Sequence, residues 1–287
     1  MVYLKLFRID HYAKNLFIFL PLFFALQITN IDLLLKASIA FVGFCLIASA
    51  VYIVNDYKDR LEDARHPVKK YRPLASGQVS PRFAMYMMCL SLSVGLLVQI
   101  FVGWQVLVLS ILYFALNLAY SFGLKRFAII DVFIVAFGFS LRIFVGGSAT
   151  GIELQPWIVV MTFLLALFMA LGKRRDDFNL IKENGIAIRQ SINGYSAKLL
   201  DYSMIIMASV IIVSYLMYTL SVETDTKFHT KDLYFTSLFV LLGVLRYMQI
   251  IFVEKNAGSP TDIFWKDRII QLALFGWIVL FGALIYL

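Results

Sequence analysis

The side chains best suited to chemistry lie in the segment 52–63, which reads Tyr-Ile-Val-Asn-Asp-Tyr-Lys-Asp-Arg-Leu-Glu-Asp. At about 100° per residue, a helix would place Asn55, Asp56, Asp59 and Asp63 on one face. Three neighbouring carboxylates repel one another, and a divalent cation offsets that repulsion. Oxygen ligands without His or Cys favour Mg²⁺, which usually completes its coordination with water and phosphate oxygens. This acidic segment therefore predicts a Mg²⁺ site that holds a diphosphate.

A plainer interpretation of the acidic segment is an ordinary solvated loop. In that case its carboxylates would pair with the neighbouring cations Lys58, Arg60 and Arg65. The spacing of the acids along one helix face, at the end of a long apolar stretch, favours the metal site instead.

A basic segment, residues 65–77, follows directly and reads Arg-His-Pro-Val-Lys-Lys-Tyr-Arg-Pro-Leu-Ala-Ser-Gly. Its cations Lys69, Lys70 and Arg72 are spaced to neutralise phosphates, the lysines as point charges and the arginine as a planar fork. Such cations are needed because Mg²⁺ neutralises only part of a diphosphate. His66 lies between Arg and Pro, and we expect it to be a turn residue or hydrogen-bond donor rather than a catalytic base.

These two segments interrupt a strongly apolar chain. Of its 287 residues, 61% are apolar and 15% are charged, whereas soluble domains are nearer half apolar and a quarter charged. A soluble fold of this length could not bury so much apolar surface, so the sequence predicts an integral membrane protein. The net charge of +8 is best explained by loops that face an anionic leaflet or phosphate-bearing substrates, and no nucleic-acid partner is expected.

A length of about 20 apolar residues per crossing predicts an all-α protein with nine membrane spans. The predicted spans lie near residues 15–30, 35–55, 83–103, 105–122, 128–148, 155–172, 200–221, 233–253 and 268–286. Lys and Arg accumulate in alternate loops, which places the amino terminus and the long loops 56–82 and 173–199 on the cytoplasmic side. We therefore expect one multi-pass domain, residues 1–287, in the plasma membrane with its active site on the cytoplasmic face.

Four polar residues near the ends of predicted spans are candidates for substrate binding. Lys14 and Asn15 begin the first span, where the backbone amides of a helix N-terminus favour an anion. Tyr120 and Lys125 close the fourth span near the cytoplasmic surface, where a tyrosine is as often an interface anchor as a ligand.

Arg142 lies in the middle of the fifth predicted span. A charge there costs at least about 2.5 kcal/mol unless it faces a cavity or a partner. We therefore expect Arg142 to bind substrate rather than to pair with Asp131, from which about three helical turns separate it.

The pattern Asn-Asp-x-x-Asp-x-x-x-Asp, followed by His-Pro-x-Lys-x-x-Arg-Pro-Leu-Ala-Ser-Gly, resembles the UbiA superfamily of intramembrane prenyltransferases. The resemblance implies nine helices around a central cavity, Mg²⁺ and a diphosphate bound by the acidic segment, and a lateral opening for an isoprenoid chain. Most such enzymes carry a second motif, Asp-x-x-x-Asp, after the sixth helix. Residues 170–177 read Ala-Leu-Gly-Lys-Arg-Arg-Asp-Asp instead.

This second segment is similar to that of one branch of the superfamily, the decaprenyl-phosphate phosphoribosyltransferases. Further similar stretches are residues 8–15, 119–125 and 130–146. The cations Lys173, Arg174 and Arg175 would suit a second phosphorylated substrate, although the positive-inside rule alone also explains them. The resemblance implies transfer of a 5-phosphoribosyl group from phosphoribosyl diphosphate to a polyprenyl phosphate lipid, with release of diphosphate.

The same resemblance assigns roles to individual residues. Asp56, Asp59, Asp63 and Lys173 are the expected catalytic residues, and the three acids with Asn55 are the expected Mg²⁺ ligands. The expected substrate-binding residues are Lys14, Asn15, Lys69, Arg72, Tyr120, Lys125, Arg142 and Arg174. The acceptor phosphate is already largely dianionic at neutral pH, so no protein base is expected.

Two other functions stay open from the sequence. An aromatic prenyltransferase would receive its diphosphate on the isoprenoid, but residues 170–177 do not contain the second spaced acidic pair of such enzymes. A transporter for an anionic metabolite would also suit nine spans, yet it would gain nothing from a carboxylate face on one side only. Small residues at 146–148 allow close helix contacts within one chain or between two, so a homo-oligomer is also open.

Overall fold

The computed structural model describes residues 2–65, 69–184, 190–254 and 260–286, with the side chains of 180–184, 190 and 260–262 excepted. Every regular element within these ranges is helical, which confirms the predicted all-α class. The chain divides into two compact units, Met1–Val159 and Val160–Leu287.

The first unit contains six α-helices and three short 3₁₀ segments. The α-helices are α1 (Val2–Phe7), α2 (Leu20–Phe24), α3 (Ile31–Asp63), α4 (Pro81–Val102), α5 (Trp104–Phe122) and α6 (Ile130–Thr150). The 3₁₀ segments are Ile9–Phe19, Lys69–Tyr71 and Leu124–Arg126.

The second unit contains the other helices. They are α7 (Pro156–Asn184), whose first residues precede the unit boundary, α8 (Ala197–Thr219), α9 (Val222–Phe228), α10 (Ser237–Gln249), α11 (Pro260–Lys266) and α12 (Arg268–Tyr286). Two 3₁₀ segments, Gln190–Gly194 and Asp232–Thr236, and a π-helical turn, Ile250–Glu254, complete it.

Eight helical segments in the described ranges are long and apolar enough to cross a membrane. They are Ile31–Asp63, Pro81–Val102, Trp104–Phe122, Ile130–Thr150, Pro156–Asn179, Ala197–Thr219, Asp232–Glu254 and Arg268–Tyr286. Each coincides with one of the predicted spans, so the chain is a multi-pass membrane protein.

The predicted span near 15–30 differs from the others. Its first residues belong to the 3₁₀ segment Ile9–Phe19, and the next five form helix α2. The chain is no longer helical after Phe24. The change of helix type coincides with Pro21, which cannot donate a backbone hydrogen bond, and the chain turns again where Asn30 caps α3. Hydropathy detects apolar residues but not the tightness of the helix that they form, so the total of nine spans stays a prediction.

Helix α3 is the central element of the first unit and determines where the acidic segment lies. It packs against α4, α5, α6 and the 3₁₀ segment Ile9–Phe19, and most residues of its apolar middle turns are buried. The contact with α4 is close because an added Cβ on Gly95 would lie 2.9 Å from the carbonyl oxygen of Gly43. Since α3 is held by these four elements, its last turns are fixed in position.

The amino-terminal 3₁₀ segment is held against α6 by an equally close contact. A Cβ added to Gly146 would lie 2.0 Å from the carbonyl oxygen of Ile18, so only glycine allows the two backbones to approach so closely. This contact positions the segment that carries Lys14 and Asn15.

We therefore expect Gly146→Ala to destabilise the protein, because backbone atoms on both sides must move to admit the methyl group. The expected loss is about 1–3 kcal/mol, or several degrees in the unfolding midpoint of the purified protein in detergent. Gly282→Ala in α12 is the matched control, because no atom lies within 4 Å of its added Cβ. Equal midpoints for the two variants would contradict the close contact at Gly146.

Candidate active site

The acidic segment forms the last turns of α3, which continues without a break to Asp63. The helix predicted for this segment is therefore confirmed. Asp56 and Asp63 are buried, with exposed fractions of 2% and 3%, while the side chain of Asp59 is 20% exposed. Buried carboxylates are costly unless opposite charges and hydrogen bonds compensate them.

Arg72 joins the two buried carboxylates. Its Nη1 donates to Oδ2 of Asp63 at 2.6 Å and to Oδ1 of Asp56 at 3.1 Å. Lys69 adds a second positive charge, with its Nζ 3.9 Å from Oδ1 of Asp63. The basic segment thus turns back over the end of α3, and its cations compensate the negative charge of the acids that precede it.

An apolar contact holds the basic segment in this position. Leu74 and Val79 are buried in a small cluster with Leu6 of α1 and Ile53 of α3. A backbone hydrogen bond from the amide of Val79 to the carbonyl of Pro73, 3.0 Å long, closes the turn between them. The arginine reaches the carboxylates because this loop is packed, not merely because it is basic.

The end of α5 compensates the remaining acid. Lys125, in the 3₁₀ turn after α5, donates a short hydrogen bond from Nζ to Oδ1 of Asp59. One residue before the end of α5, the Ser121 hydroxyl donates to Oδ1 of Asn55 at 3.4 Å. The half-buried Tyr120 lies beside Ser121 in the chain. The structure therefore brings Lys125 to Asp59 and Ser121 to Asn55, so the end of α5 lies beside the acidic segment.

The local cations do not pair with the acids in the way that a solvated loop would require. Lys58 lies over the ring of Phe122, 5.0 Å from its centroid, and Arg60 lies over the ring of Tyr57 at 4.6 Å. The acids pair instead with cations from other segments of the first unit.

These residues have the donor chemistry that Mg²⁺ requires, but their present contacts are with cations. Within the described ranges, no three acid, histidine or cysteine side chains converge closely enough to hold a metal ion. The guanidinium of Arg72 lies between Asp56 and Asp63, where a bridging positive charge is needed. Because Mg²⁺ binds oxygens at about 2.1 Å, the carboxylates would have to exchange Arg72 for the metal.

Arg142 is buried, with 4% of its surface exposed, and holds the amino-terminal 3₁₀ segment from the side of α6. Its Nε donates to Oδ1 of Asn15 at 2.8 Å, and its Nη2 donates to the hydroxyl of Tyr113 at 3.2 Å. Its Nη1 donates to the carbonyl of Gly138 at 2.6 Å, and it also lies over the rings of Phe44, Tyr113 and Phe139. No described carboxylate lies within ion-pair distance of its guanidinium.

In the second unit, the cations that follow the sixth predicted span also lie among acids. Lys173 Nζ is 3.6 Å from Asp177, and the buried Arg174 donates to the same carboxylate at 3.3 Å. Arg175 Nε donates to Asp201 of α8 at 2.5 Å. The predicted cationic cluster is thus a network of cations and the buried acids of α7, not a set of cations alone.

Comparison with known proteins identifies the family of the chain. The sequence model of the UbiA prenyltransferase family matches residues 15–279. The chain belongs to the UbiA prenyltransferase family. The predicted resemblance is therefore confirmed, and so are the all-α class and the membrane location that this family implies.

Individual UbiA relatives cover nearly the same length. The chain is 34% identical, over 266 residues, to the decaprenyl-phosphate phosphoribosyltransferase of Mycolicibacterium smegmatis, which covers 89% of this chain and 82% of that one. It is 32% identical to the decaprenyl-phosphate phosphoribosyltransferase of Corynebacterium glutamicum, over 91% of this chain and 79% of the relative. A UbiA homologue from Archaeoglobus fulgidus, solved with GPP and Mg²⁺, superimposes over both whole chains with a TM-score of 0.74 at 20% identity.

The UbiA motifs did not predict a role for Arg8. Its backbone is left-handed (φ 50°), its Nη2 donates to Oδ1 of Asp56 at 2.5 Å, and its guanidinium lies over the ring of Tyr52. The pair joins residues 48 positions apart, so spacing along the chain could not reveal it. The signal in the sequence was the similarity of residues 8–15 to the phosphoribosyltransferase branch, which begins at Arg8 but assigned it no role.

We expect Arg8 and Asp56 to be energetically coupled, because each buried charge is left partly unpaired when the other is removed. A double-mutant cycle with Arg8→Gln and Asp56→Asn, followed by thermal unfolding, is expected to give about 1–3 kcal/mol of coupling. Arg60→Gln is the matched control, because Arg60 contacts Tyr57 on its own helix and forms no ion pair with a described carboxylate. Coupling near zero would show that the pair does not compensate the burial of Asp56.

Proposed function

We propose that the chain is a Mg²⁺-dependent membrane transferase that moves a 5-phosphoribosyl group from phosphoribosyl diphosphate to a polyprenyl phosphate, with release of diphosphate. The observation that carries this proposal is the cluster at the end of α3, where acids suited to a metal alternate with cations suited to phosphates. The 34% identical relative from Mycolicibacterium smegmatis, a decaprenyl-phosphate phosphoribosyltransferase, supports the choice of substrates.

On the donor side, Asp56, Asp59 and Asp63, with Asn55, would hold Mg²⁺. Bound there, Mg²⁺ would neutralise part of the donor diphosphate and stabilise the charge of the leaving group. The four cations that now pair with these acids would turn to phosphate oxygens. They are Arg8, Lys69, Arg72 and Lys125. Four cations against three carboxylates leave one positive charge in excess, which favours an anionic substrate.

On the acceptor side, the lipid phosphate supplies the nucleophile. One of its oxygens forms a bond to C1 of the ribose while the bond from C1 to the diphosphate oxygen breaks, which inverts C1. No proton must be removed because the phosphate is already ionised. We assign phosphate binding in the second unit to Lys173 and Arg174, whose cationic groups suit a phosphorylated substrate.

Lys14, Tyr120 and Lys125 keep their proposed contacts with substrate. For Arg142, the hydrogen bonds to Asn15 and Tyr113 support a role in positioning the amino-terminal segment. We further propose that residues 1–287 form a single functional domain with nine spans around a central cavity. We also propose that the protein lies in the plasma membrane, with its site and amino terminus facing the cytoplasm. The distribution of Lys and Arg supports that orientation.

The proposed reaction is tested with purified protein, Mg²⁺, polyprenyl phosphate and phosphoribosyl diphosphate labelled in the ribose. We expect label to enter the lipid fraction with release of one diphosphate. Labelled prenyl diphosphate with 4-hydroxybenzoate, a phenolic acid, tests the rival aromatic prenyltransferase in parallel. Prenylated acid without labelled lipid would replace the proposed function by the rival.

In the same assay, Asp59→Ala is expected to abolish turnover, because it removes a proposed oxygen ligand of the metal. This carboxylate is partly exposed and, among the described residues, is paired with Lys125. Its unfolding midpoint is expected to change little for the same reason. Asp32→Ala, at the exposed other end of α3, is the matched control and is expected to keep normal turnover. Normal turnover by Asp59→Ala would contradict the metal site.

Metal and diphosphate are expected to bind cooperatively, because each carboxylate must release a cation before it can bind metal and the phosphates receive those cations. Mn²⁺ can replace Mg²⁺ as a paramagnetic probe. We expect inorganic diphosphate to tighten Mn²⁺ binding by about 5- to 150-fold, and Mn²⁺ to tighten diphosphate binding by the same factor. Equal Mn²⁺ affinity with and without diphosphate would contradict the exchange of ion pairs.

A further inference from the structure

His11 lies beside the cluster at the end of α3 but takes no part in its ion pairs. It belongs to the 3₁₀ segment Ile9–Phe19, and its imidazole meets the ring of Tyr52 edge-on, with 5.2 Å between the centroids. Arg8 lies over the same ring and reaches Asp56. Because Tyr52 precedes Asp56 by one helical turn, about 5.4 Å, His11 lies one turn from the proposed diphosphate site.

One nitrogen of this imidazole is buried and lacks a partner. No described residue lies within hydrogen-bond distance of Nδ1 of His11. The other nitrogen, Nε2, is 3.4 Å from a carboxylate oxygen of the exposed Asp10. That neighbour favours the tautomer with its proton on Nε2, which leaves a lone pair on Nδ1 as the unpaired group.

The surroundings of His11 keep the imidazole neutral. Burial, followed by the positive charges of Lys14, Arg8 and Arg72, lowers the pKa of His11 to about 3. At neutral pH the residue therefore adds no charge to the cluster, and Nδ1 can accept a hydrogen bond but cannot donate one.

We propose that His11 is a specificity-determining residue whose Nδ1 accepts a hydrogen bond from a sugar hydroxyl of the donor. A phosphate oxygen has no hydrogen to donate to this nitrogen, whereas a ribose hydroxyl has one. The inference rests on the proposed function and adds the group that distinguishes a diphosphate on a sugar from a diphosphate on a hydrocarbon chain. A buried hydrogen-bond acceptor distinguishes effectively between ligands with and without a hydroxyl, because a ligand without one leaves the acceptor unpaired.

The test measures binding by calorimetry to the purified protein with Mg²⁺. Two ligands are compared: phosphoribosyl diphosphate, which has the sugar hydroxyls, and inorganic diphosphate, which has none. We expect His11→Phe to weaken binding of phosphoribosyl diphosphate by about 10- to 100-fold and to leave binding of inorganic diphosphate unchanged. His11→Gln, which provides an amide oxygen as acceptor, is expected to restore most of the lost affinity.

Tyr12→Phe is the matched control, because it removes a hydroxyl that bonds to Ser49 and leaves the imidazole in place. We expect it to retain the wild-type affinity for both ligands. If His11→Phe weakens both ligands equally, or neither, the hydroxyl contact does not exist. The labelling assay reports separately on the function: wild-type protein that forms no labelled lipid would refute the proposed reaction, whatever the His11 variants show.

Discussion

The burial of carboxylates at the end of α3 is the constraint on which the site depends. Asp56 and Asp63 are withdrawn from water, so each must have a positive partner. Their partners come from Arg8, directly after α1, and from the packed basic loop, while the turn after α5 supplies the partner of Asp59. Three separate parts of the first unit are thereby tied to one helix end, and the same charges that stabilise the fold are those suited to a metal and a diphosphate.

This dual use explains why the acids and cations adjoin in the sequence as well as in space. A site with carboxylates alone would repel a diphosphate, and a site with cations alone would have no ligands for the metal. Arg72, which lies between Asp56 and Asp63, compensates the negative charge of the two carboxylates. Binding of the metal and the diphosphate then requires the carboxylates and cations to exchange their ion-pair partners. It does not require a new charge to form in an apolar environment.

The sequence predicted what depends on periodicity and residue type. The helix through Asp63, the eight long spans and the family could be predicted because apolar length and the spacing of acids are local properties. The pair of Arg8 with Asp56 could not, because it joins distant segments, and neither could the 3₁₀ form of Ile9–Phe19, because its hydropathy resembles that of an α-helix. Arg174 was predicted as a cation, but its contact with Asp177 depends on packing in the second unit.

Arg142 has one further consequence. Within the described part of the first unit, the hydrogen-bond partners of its guanidinium are all uncharged. The apolar interior beyond the end of α3 therefore carries a permanent positive potential. A metal ion that moved inward from the carboxylates would be repelled by this positive charge, which favours its retention at the acids.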